Sequence, residues 1–370
     1  MRIGYDAKRA FHNKTGLGNY SRSLIDGMCR FYSENHYFLF NSKPSVLYKA
    51  EGLHVQEVLP SKGLAKKFSS LWRTFTLNSL AHQYNLDIYH GLSHELPFGS
   101  KKGKTKWVLT VHDLIFIRYP HYFKPIDRSI YTYKIKKACR KADKIVAISE
   151  QTKRDLMEFL GIAAQKIEVV YQSCHPQFSQ TVDEEEKRAV QKKYQLPTTY
   201  LLQVGTIETR KNLLLTIRAL DRIPTNIHLV VIGKETAYLQ LIQHEIAKRN
   251  LQKRVLLLHS VPFDDLPAIY QMAHIFIYPS RFEGFGIPII EALHSGIPVI
   301  AARGSCLEEA GGPNSRYVDP DDVEGMGSAI NDINTNNVLR STMIKEGNEY
   351  VQRFNPKNLA EDLFNLYKSI

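Results

Sequence analysis

The chain has 370 residues, 43% hydrophobic and 23% charged, with a formal net charge of +12. Such values suit a folded protein of two domains and exclude disorder and fibrous repeats, because the apolar content is that of an ordinary packed core. Divided after residue 178, the charge is +14 in the first part and −2 in the rest, so the basic excess points to an anionic partner of the N-terminal half, nucleic acid or an acidic membrane surface.

The opening residues, Met1–Arg9, carry charges where a secretory signal needs an apolar run. Gly286–Ala302, the most apolar long stretch, includes Glu291 and His294 and falls short of the ~20 residues of a membrane span. Cys29, Cys139, Cys174 and Cys306 lie far apart with no CxxC pair, which suggests neither a disulfide framework nor a zinc site and fits a reducing, cytoplasmic compartment.

Apolar runs predict strands at Arg2–Ala7, Tyr37–Asn41, Asp87–Gly91, Trp107–Val111 and Lys144–Ser149, then at Tyr200–Gly205, His228–Gly233, Val255–Ser260, His274–Ser280 and Pro298–Arg303. Helical patterns at Asn212–Ile223, Ala237–Arg249 and Asp264–Met272 separate the later ones. Alternation of this kind predicts α/β architecture, with two doubly wound parallel sheets facing a central cleft. The polar stretch Gln180–Lys192 is the expected join. Ligands of such sheets sit beyond the carboxyl ends of the strands, so the loops there are the places to look for chemistry.

Lys14-Thr15-Gly16-Leu17-Gly18-Asn19-Tyr20 follows the first strand and precedes the amphipathic pattern Ser21–Phe31. Gly16 and Gly18 suit either a tight turn or a close approach to an anion at a helix start. A nicotinamide fingerprint is disfavoured, since Ser21 stands where its third glycine belongs. Lys62–Tyr84 and Arg128–Lys144 read as basic helices, the first with Leu64, Phe68, Leu71, Trp72 and Phe75 at helical spacing. They fit docking on an anionic bilayer, or equally a packed helix with solvated lysines. Thr110-Val111-His112-Asp113-Leu114 closes the Trp107–Val111 strand; His112 there is either a ligand or proton-handling group or a loop histidine tied to backbone.

Val204-Gly205-Thr206-Ile207-Glu208-Thr209-Arg210-Lys211-Asn212 places two cations where a helix opens. There they oppose the helix dipole unless an anion offsets them, and a diphosphate would do so. Pro279–Leu293 contains a glycine-rich turn, a helix opening near Ile287-Pro288, and the carboxylates Glu283 and Glu291. Eight residues of helix rise ~12 Å, whereas a glycosidase holds its two carboxyls ~5–9.5 Å apart. The pair therefore reads as two separate hydrogen-bonding posts.

Glu283 and Glu291 within Phe-Glu-Gly-Phe-Gly-Ile-Pro resemble the Glu-x7-Glu signature of family 4 retaining glycosyltransferases. Pro279-Ser280, Gly296-Ile297-Pro298-Val299-Ile300, Arg210-Lys211-Asn212 and Thr15-Gly16-Leu17-Gly18 stand where that family has counterparts. Val111-His112-Asp113-Leu114 is similar to the histidine motif of its mannosyltransferase-like branch; Asn19 departs from a pattern in which many relatives carry arginine.

The resemblance implies a GT-B fold, with an N-terminal domain over 1–178, a donor domain over 179–354 and a last helix over 355–370 crossing back to the first domain. It implies catalytic roles for His112, Arg210, Lys211 and Glu283. Donor contacts would come from Gly16, Gly18, Arg210, Lys211, Glu283, Phe285, Gly286, Ile287 and Glu291. In detail, Arg210 and Lys211 bind the donor diphosphate, Glu291 accepts from the ribose hydroxyls, and Glu283 with the Phe285–Ile287 amides holds the sugar, which His112 contacts from the opposite domain. No cofactor or metal is implied, the nucleotide-sugar being a substrate. The expected partners are that donor, a glycan or lipid-linked glycan acceptor and an anionic inner membrane face, with no nucleic acid. The expected reaction is retaining transfer of mannose from GDP-mannose in surface polysaccharide assembly, with UDP-sugar-dependent hexosyl or N-acetylhexosaminyl transfer as the alternative. A non-catalytic sugar- or nucleic-acid-binding protein is the reading from another class; the Arg210-Lys211 pair speaks against neutral sugars as sole ligands, and no known RNA or DNA module stands behind the basic half.

Overall fold

Near-continuous apolar runs become central strands here, because helices on both faces of a parallel sheet leave no side for water. The computed structural model describes residues 1–60, 72, 76–101 and 103–370; most of the Lys62–Tyr84 pattern lies outside them.

One unit comprises Met1–Ser173 and Phe354–Ile370. Its elements run β1 (Arg2–Asp6), α1 (Lys8–His12), α2 (Gly16–Phe31), β2 (His36–Phe40), β3 (Val55–Val58), α3 (Leu77–Gln83), β4 (Ile88–Gly91), β5 (Lys106–Val111), α4 (Ile115–Arg118), α5 (Pro125–Lys141), β6 (Lys144–Ala147), α6 (Glu150–Leu160) and β7 (Ile167–Val169). Among the described residues they form a parallel sheet of order β3-β2-β1-β4-β5-β6-β7. The other unit, Cys174–Arg353, runs α7 (Glu184–Tyr194), β8 (Tyr200–Val204), α8 (Leu213–Ala219), β9 (His228–Ile232), α9 (Leu239–Lys248), β10 (Val255–Leu258), α10 (Leu266–Met272), β11 (Ile275–Tyr278), α11 (Ile287–His294), β12 (Val299–Ala302), α12 (Leu307–Gly311), β13 (Arg316–Val318), α13 (Val323–Thr335) and α14 (Asn337–Val351). Its sheet is parallel with order β10-β9-β8-β11-β12-β13. The closing helix, α15 (Pro356–Lys368), belongs to the first unit, where Phe364 stacks on Tyr32 at the end of α2.

Both sheets are Rossmann-like, and each reverses its winding beside its first strand, between β1 and β4 and between β8 and β11. Strands β3, β7 and β13 were not anticipated. Edge strand β3 carries exposed Gln56 and Glu57, and β7 and β13 are only three residues long, so none presents an apolar run.

The join also differs from expectation. It falls after Ser173, not after residue 178, because Phe178 is fully buried against Phe263 and Tyr270 of the second unit. The stretch taken as a linker, Gln180–Lys192, mostly forms α7, capped by Asp183 and acidic in its first turn. All four cysteines are buried and none is in a disulfide.

Candidate active site

The charged residues of the second unit converge at its switch point. After β8 the chain turns at Gly205, whose φ of +146° favours glycine and where a Cβ would lie 3.4 Å from Lys211 Cε. Thr209–Lys211 then form one 3-10 turn, and Asn212, at φ +55°, opens α8 while its amide donates to the Pro320 carbonyl at 2.7 Å. The chain leaving β11 supplies the counter-charge. Glu283 Oε1 lies 2.5 Å from Lys211 Nζ and Oε2 lies 2.7 Å from the Arg210 guanidinium. Ser280 Oγ donates to the same carboxylate at 2.5 Å, Lys211 donates to the Tyr278 hydroxyl at 2.6 Å, and Arg210 donates to Glu208 at 2.6 Å.

Burial by itself would push the Glu283 carboxyl up, but Lys211 and Arg210 overcome it and hold the group at about 2. Burial pulls Lys211 below the ordinary lysine range, with Glu283 opposing. An ammonium has three donors; two are engaged here, so one is left for a further acceptor.

Glu291 is set apart from this ion cluster. It lies on α11 and accepts from the Tyr270 hydroxyl at 2.8 Å. Burial raises it to about 7, with the Tyr270 hydrogen bond pulling the other way. Tyr278 is raised first by its own burial and then by both Glu283 and Glu291. The two carboxylates differ sharply in their hold on a proton: Glu283 is kept well below the ordinary carboxylate range and Glu291 is raised above it.

Gly286 precedes α11 at φ +145°, and a Cβ there would lie 3.1 Å from Ala310 Cβ. Cys306 Sγ is 3.0 Å from the carbonyls of both Glu283 and Phe285. In a planar trans peptide the N–H opposes the C=O, so the Gly284 and Gly286 amides point away from Cys306. The Phe285 side chain is buried, whereas Ile287 is partly exposed.

His112, Gly16 and Gly18 belong to the first unit. The buried His112 ring donates from Nε2 to the Leu92 carbonyl at 2.9 Å, leaving Nδ1 as acceptor, 3.3 Å from the Gln172 amide. Burial, then the neighbouring His94, lowers His112 well below the ordinary imidazole range, so the ring is neutral. Gly16 and Gly18 lie inside the first turn of α2, which starts five residues before the Ser21 expected from amphipathicity. Gly18 has a structural reason: a Cβ would sit 1.8 Å from the Asn13 carbonyl oxygen. A Cβ at Gly16 would meet nothing within 4 Å outside its own helix. Asn19, the departure from the family pattern, accepts from Arg22 at 2.5 Å.

The model of "Glycosyltransferase Family 4" matches residues 15–177, and that of "Glycosyl transferases group 1" matches 183–350. Together they span nearly the whole chain and meet close to the boundary between the units. The chain belongs to the family 4 glycosyltransferases. It is 27% identical to O-antigen chain mannosyltransferase B of Escherichia coli over 76% of this chain and 74% of that protein. It is 28% identical to the O-antigen chain mannosyltransferase RfbU of Salmonella typhimurium, over 68% of this chain and 67% of that one. The crystal structure of Anabaena HepE in complex with UDP-glucose superposes with a TM-score of 0.76 at 16% identity, covering all of this chain and 99% of that one. The shared architecture is GT-B.

Sequence reasoning missed several residues of this family 4 site. Tyr270 sits in a predicted helix as one more core aromatic, with nothing to mark it as the partner of Glu291. His94 was also missed: at φ +59° it turns its Nε2 to accept the His112 amide at 2.8 Å. Cys306 was read only for disulfide or zinc spacing, although it staples the glycine-rich loop.

Proposed function

We infer that this family 4 glycosyltransferase transfers a hexose, mannose from GDP-mannose, with retention of configuration, to a glycan or lipid-linked glycan of a surface polysaccharide. One observation carries the reading: Arg210, Lys211 and Glu283 meet at the carboxyl ends of β8 and β11, where a Rossmann-like sheet takes a nucleotide. The names of the O-antigen mannosyltransferase relatives support the sugar and the polymer.

In this reading Lys211 directs its remaining N–H to the donor diphosphate, and Arg210 adds a planar guanidinium beside it. Both gain as negative charge grows on the leaving diphosphate, which is where preorganised charge accelerates a reaction. Two cations already supply that charge, so the reaction is expected to survive chelation of divalent metal. Glu283 accepts from hydroxyls of the transferred sugar, with the Gly286 and Ile287 amides nearby. Glu291 accepts from the ribose hydroxyls. A sugar hydroxyl donates to His112 Nδ1, displacing the long Gln172 contact. Gly16, in open space at a helix start, lies close to the same substrate. The leaving diphosphate takes the acceptor's proton in a same-face displacement.

A second reading, UDP-sugar-dependent transfer, has in its favour the UDP-glucose held by the HepE neighbour. Turnover of donors with a glycan acceptor decides between them, read by NMR for the anomeric configuration of the product. GDP-mannose consumed to an α-linked product is the expected outcome. Turnover of UDP-sugars alone overturns the mannose reading, an inverted product overturns retention, and stabilisation by oligonucleotides but not by nucleoside diphosphates overturns the class.

A further inference from the structure

A buried line of polar side chains crosses the first unit from the last helix of the chain to His112. Tyr367, on α15, is 1% exposed, and its hydroxyl lies 2.6 Å from Nδ1 of His90 on β4. His90 Nε2 lies 2.8 Å from Thr110 Oγ1 on β5. Thr110 Oγ1 lies 3.0 Å from the hydroxyl of Tyr20 on α2. The Tyr20 ring then stands edge-on to the His112 imidazole, with centroids 4.7 Å apart and planes at 87°. Thr110 and His90 are fully buried and Tyr20 is 2% exposed, so water replaces none of these links.

The links can all be satisfied in one consistent direction. With the Tyr367 hydroxyl donating toward Tyr5 at 3.4 Å, its oxygen accepts from His90 Nδ1–H. A neutral imidazole with Nδ1 protonated has Nε2 as its acceptor. Thr110 must then donate to His90, and its oxygen is left to accept from Tyr20. Burial holds His90 at about 3, which keeps the ring neutral and the pattern intact. One missing hydroxyl orphans a buried partner at each side of the gap, and partly satisfied networks of this kind rearrange. An apolar set of similar volume would pack β4, β5 and α15 equally well, so the polarity calls for a reason beyond packing.

We propose that Tyr367, His90, Thr110 and Tyr20 are positioning residues for His112, so that docking of the C-terminal helix sets the plane of that imidazole. This rests on the reading of His112 as a sugar-contacting side chain. The other holds on His112 are the amide by His94, the carbonyl by Thr152, Nε2 by Leu92, Nδ1 by Gln172, and the His94 ring at 5.4 Å and 81°. Of the two rings packed nearly perpendicular to the imidazole, Tyr20 is the nearer, at 4.7 Å against 5.4 Å for His94, and Tyr20 is the one tied to the hydroxyl line. Tyr20 also lies one turn beyond Gly16, so the same hydroxyl chain holds the start of α2.

The test uses the full chain with 15N-labelled histidine and three variants, Tyr367→Phe, Thr110→Val and Thr110→Ser. Thr110→Val keeps the shape and deletes the hydroxyl, while Thr110→Ser keeps the hydroxyl. Tyr367→Phe and Thr110→Val are expected to move the His112 ring signals. They should lower kcat for donor turnover roughly tenfold, with donor KM nearly constant, as expected of a misplaced group that acts in the transition state. Thr110→Ser should stay close to the parent in both readouts. Unmoved His112 signals in folded Tyr367→Phe and Thr110→Val overturn the proposal, as does a loss of thermal stability with kcat unchanged. His112→Ala separates the two levels: if it leaves turnover intact while the other variants still move the His112 signals, the sugar-contact reading fails and the positional coupling stands.

Discussion

Two carboxylates eight positions apart are shifted in opposite directions from the ordinary range, and that difference is the most informative fact at the scale of single residues. Glu283 is ion-paired and held at about 2; Glu291 has a phenol for its partner and sits at about 7. A folded-state value above the ordinary one means that the native chain binds the proton more tightly than the unfolded chain does. Glu291 thus favours folding through its protonated form, a contribution lost as pH rises from about 4.5 toward 7. Ribose hydroxyls that donate to Glu291 need the ionised form, so nucleotide affinity should rise with pH across that upper range and binding should release a proton. Calorimetry of GDP or UDP between pH 6 and 8, in two buffers of different ionisation enthalpy, should show the release in the parent. Glu291→Gln should lose that part of the pH dependence, leaving only the slope of the phosphate itself, and should weaken binding by ~1–3 kcal/mol. An unchanged slope would remove Glu291 from the ribose. For Lys211→Ala the expectation is the reverse of a binding defect: kcat falls more than donor affinity, since the diphosphate gains charge as its bond breaks. Normal kcat with raised KM would contradict it. Both carboxylates and both cations were legible in the sequence because spacing and placement at strand ends are written locally. Tyr270, Tyr278 and His94 were not, because each is a functional partner only through contacts made at a distance along the chain.

Helix starts carry the lesson at the scale of elements. Hydrophobic periodicity marks where a helix first buries a face, not where it begins. Consequently α2 was expected from Ser21 but starts at Gly16. The shift gives the two glycines of the same motif different meanings. Gly18 is fixed by the backbone of Asn13, whereas Gly16 opens to empty space. Gly18→Ala should therefore cost several kcal/mol, since the oxygen it would strike belongs to the main chain and cannot swing aside. Gly16→Ala should fold at least as well as the parent, since alanine favours helix. Chemical denaturation of both variants gives the comparison. A Gly16→Ala protein that is stable but slow in donor turnover would place this helix start against the substrate; one that is stable and fully active would leave Gly16 with a conformational role only. Short elements were the illegible ones. Three-residue strands such as β7 and β13 have no room for a pattern, and they follow from the neighbours they pair with.

For the whole molecule, the sequence showed the two-sheet architecture clearly, since near-continuous apolar strands between helices admit few alternatives. The asymmetry of charge adds something the fold does not explain. The +14 of the first 178 residues gathers partly on α5. That helix was expected over Arg128–Lys144 and is observed over Pro125–Lys141. On it Ile126 is 75% exposed, Ile130 47% and Tyr133 57%, a stripe at i, i+4 and i+7 that a solvated helix has no cause to display. Lys134, Lys136, Lys137 and Arg140 flank it, with Lys137 over the Tyr133 ring at 5.1 Å. Apolar side chains between cations match an anionic bilayer better than a nucleic acid, which would reward the charge and leave the isoleucines in water. No helix among the described residues is long and apolar enough to cross a membrane, so contact of this kind would be at the surface. Each basic side chain near an acidic leaflet contributes ~1 kcal/mol, an attraction that salt screens. The protein should therefore sediment with vesicles containing phosphatidylglycerol and not with pure phosphatidylcholine. Raising the salt should release it only in part, because burial of Ile126 and Ile130 is indifferent to ions. Ile126→Ser combined with Ile130→Ser should make the remaining binding fully salt-sensitive, whereas Lys136→Glu with Arg140→Glu should abolish it. Equal sedimentation with both vesicle types would sink the anionic surface, and undiminished binding of both double variants would move the docking face away from α5.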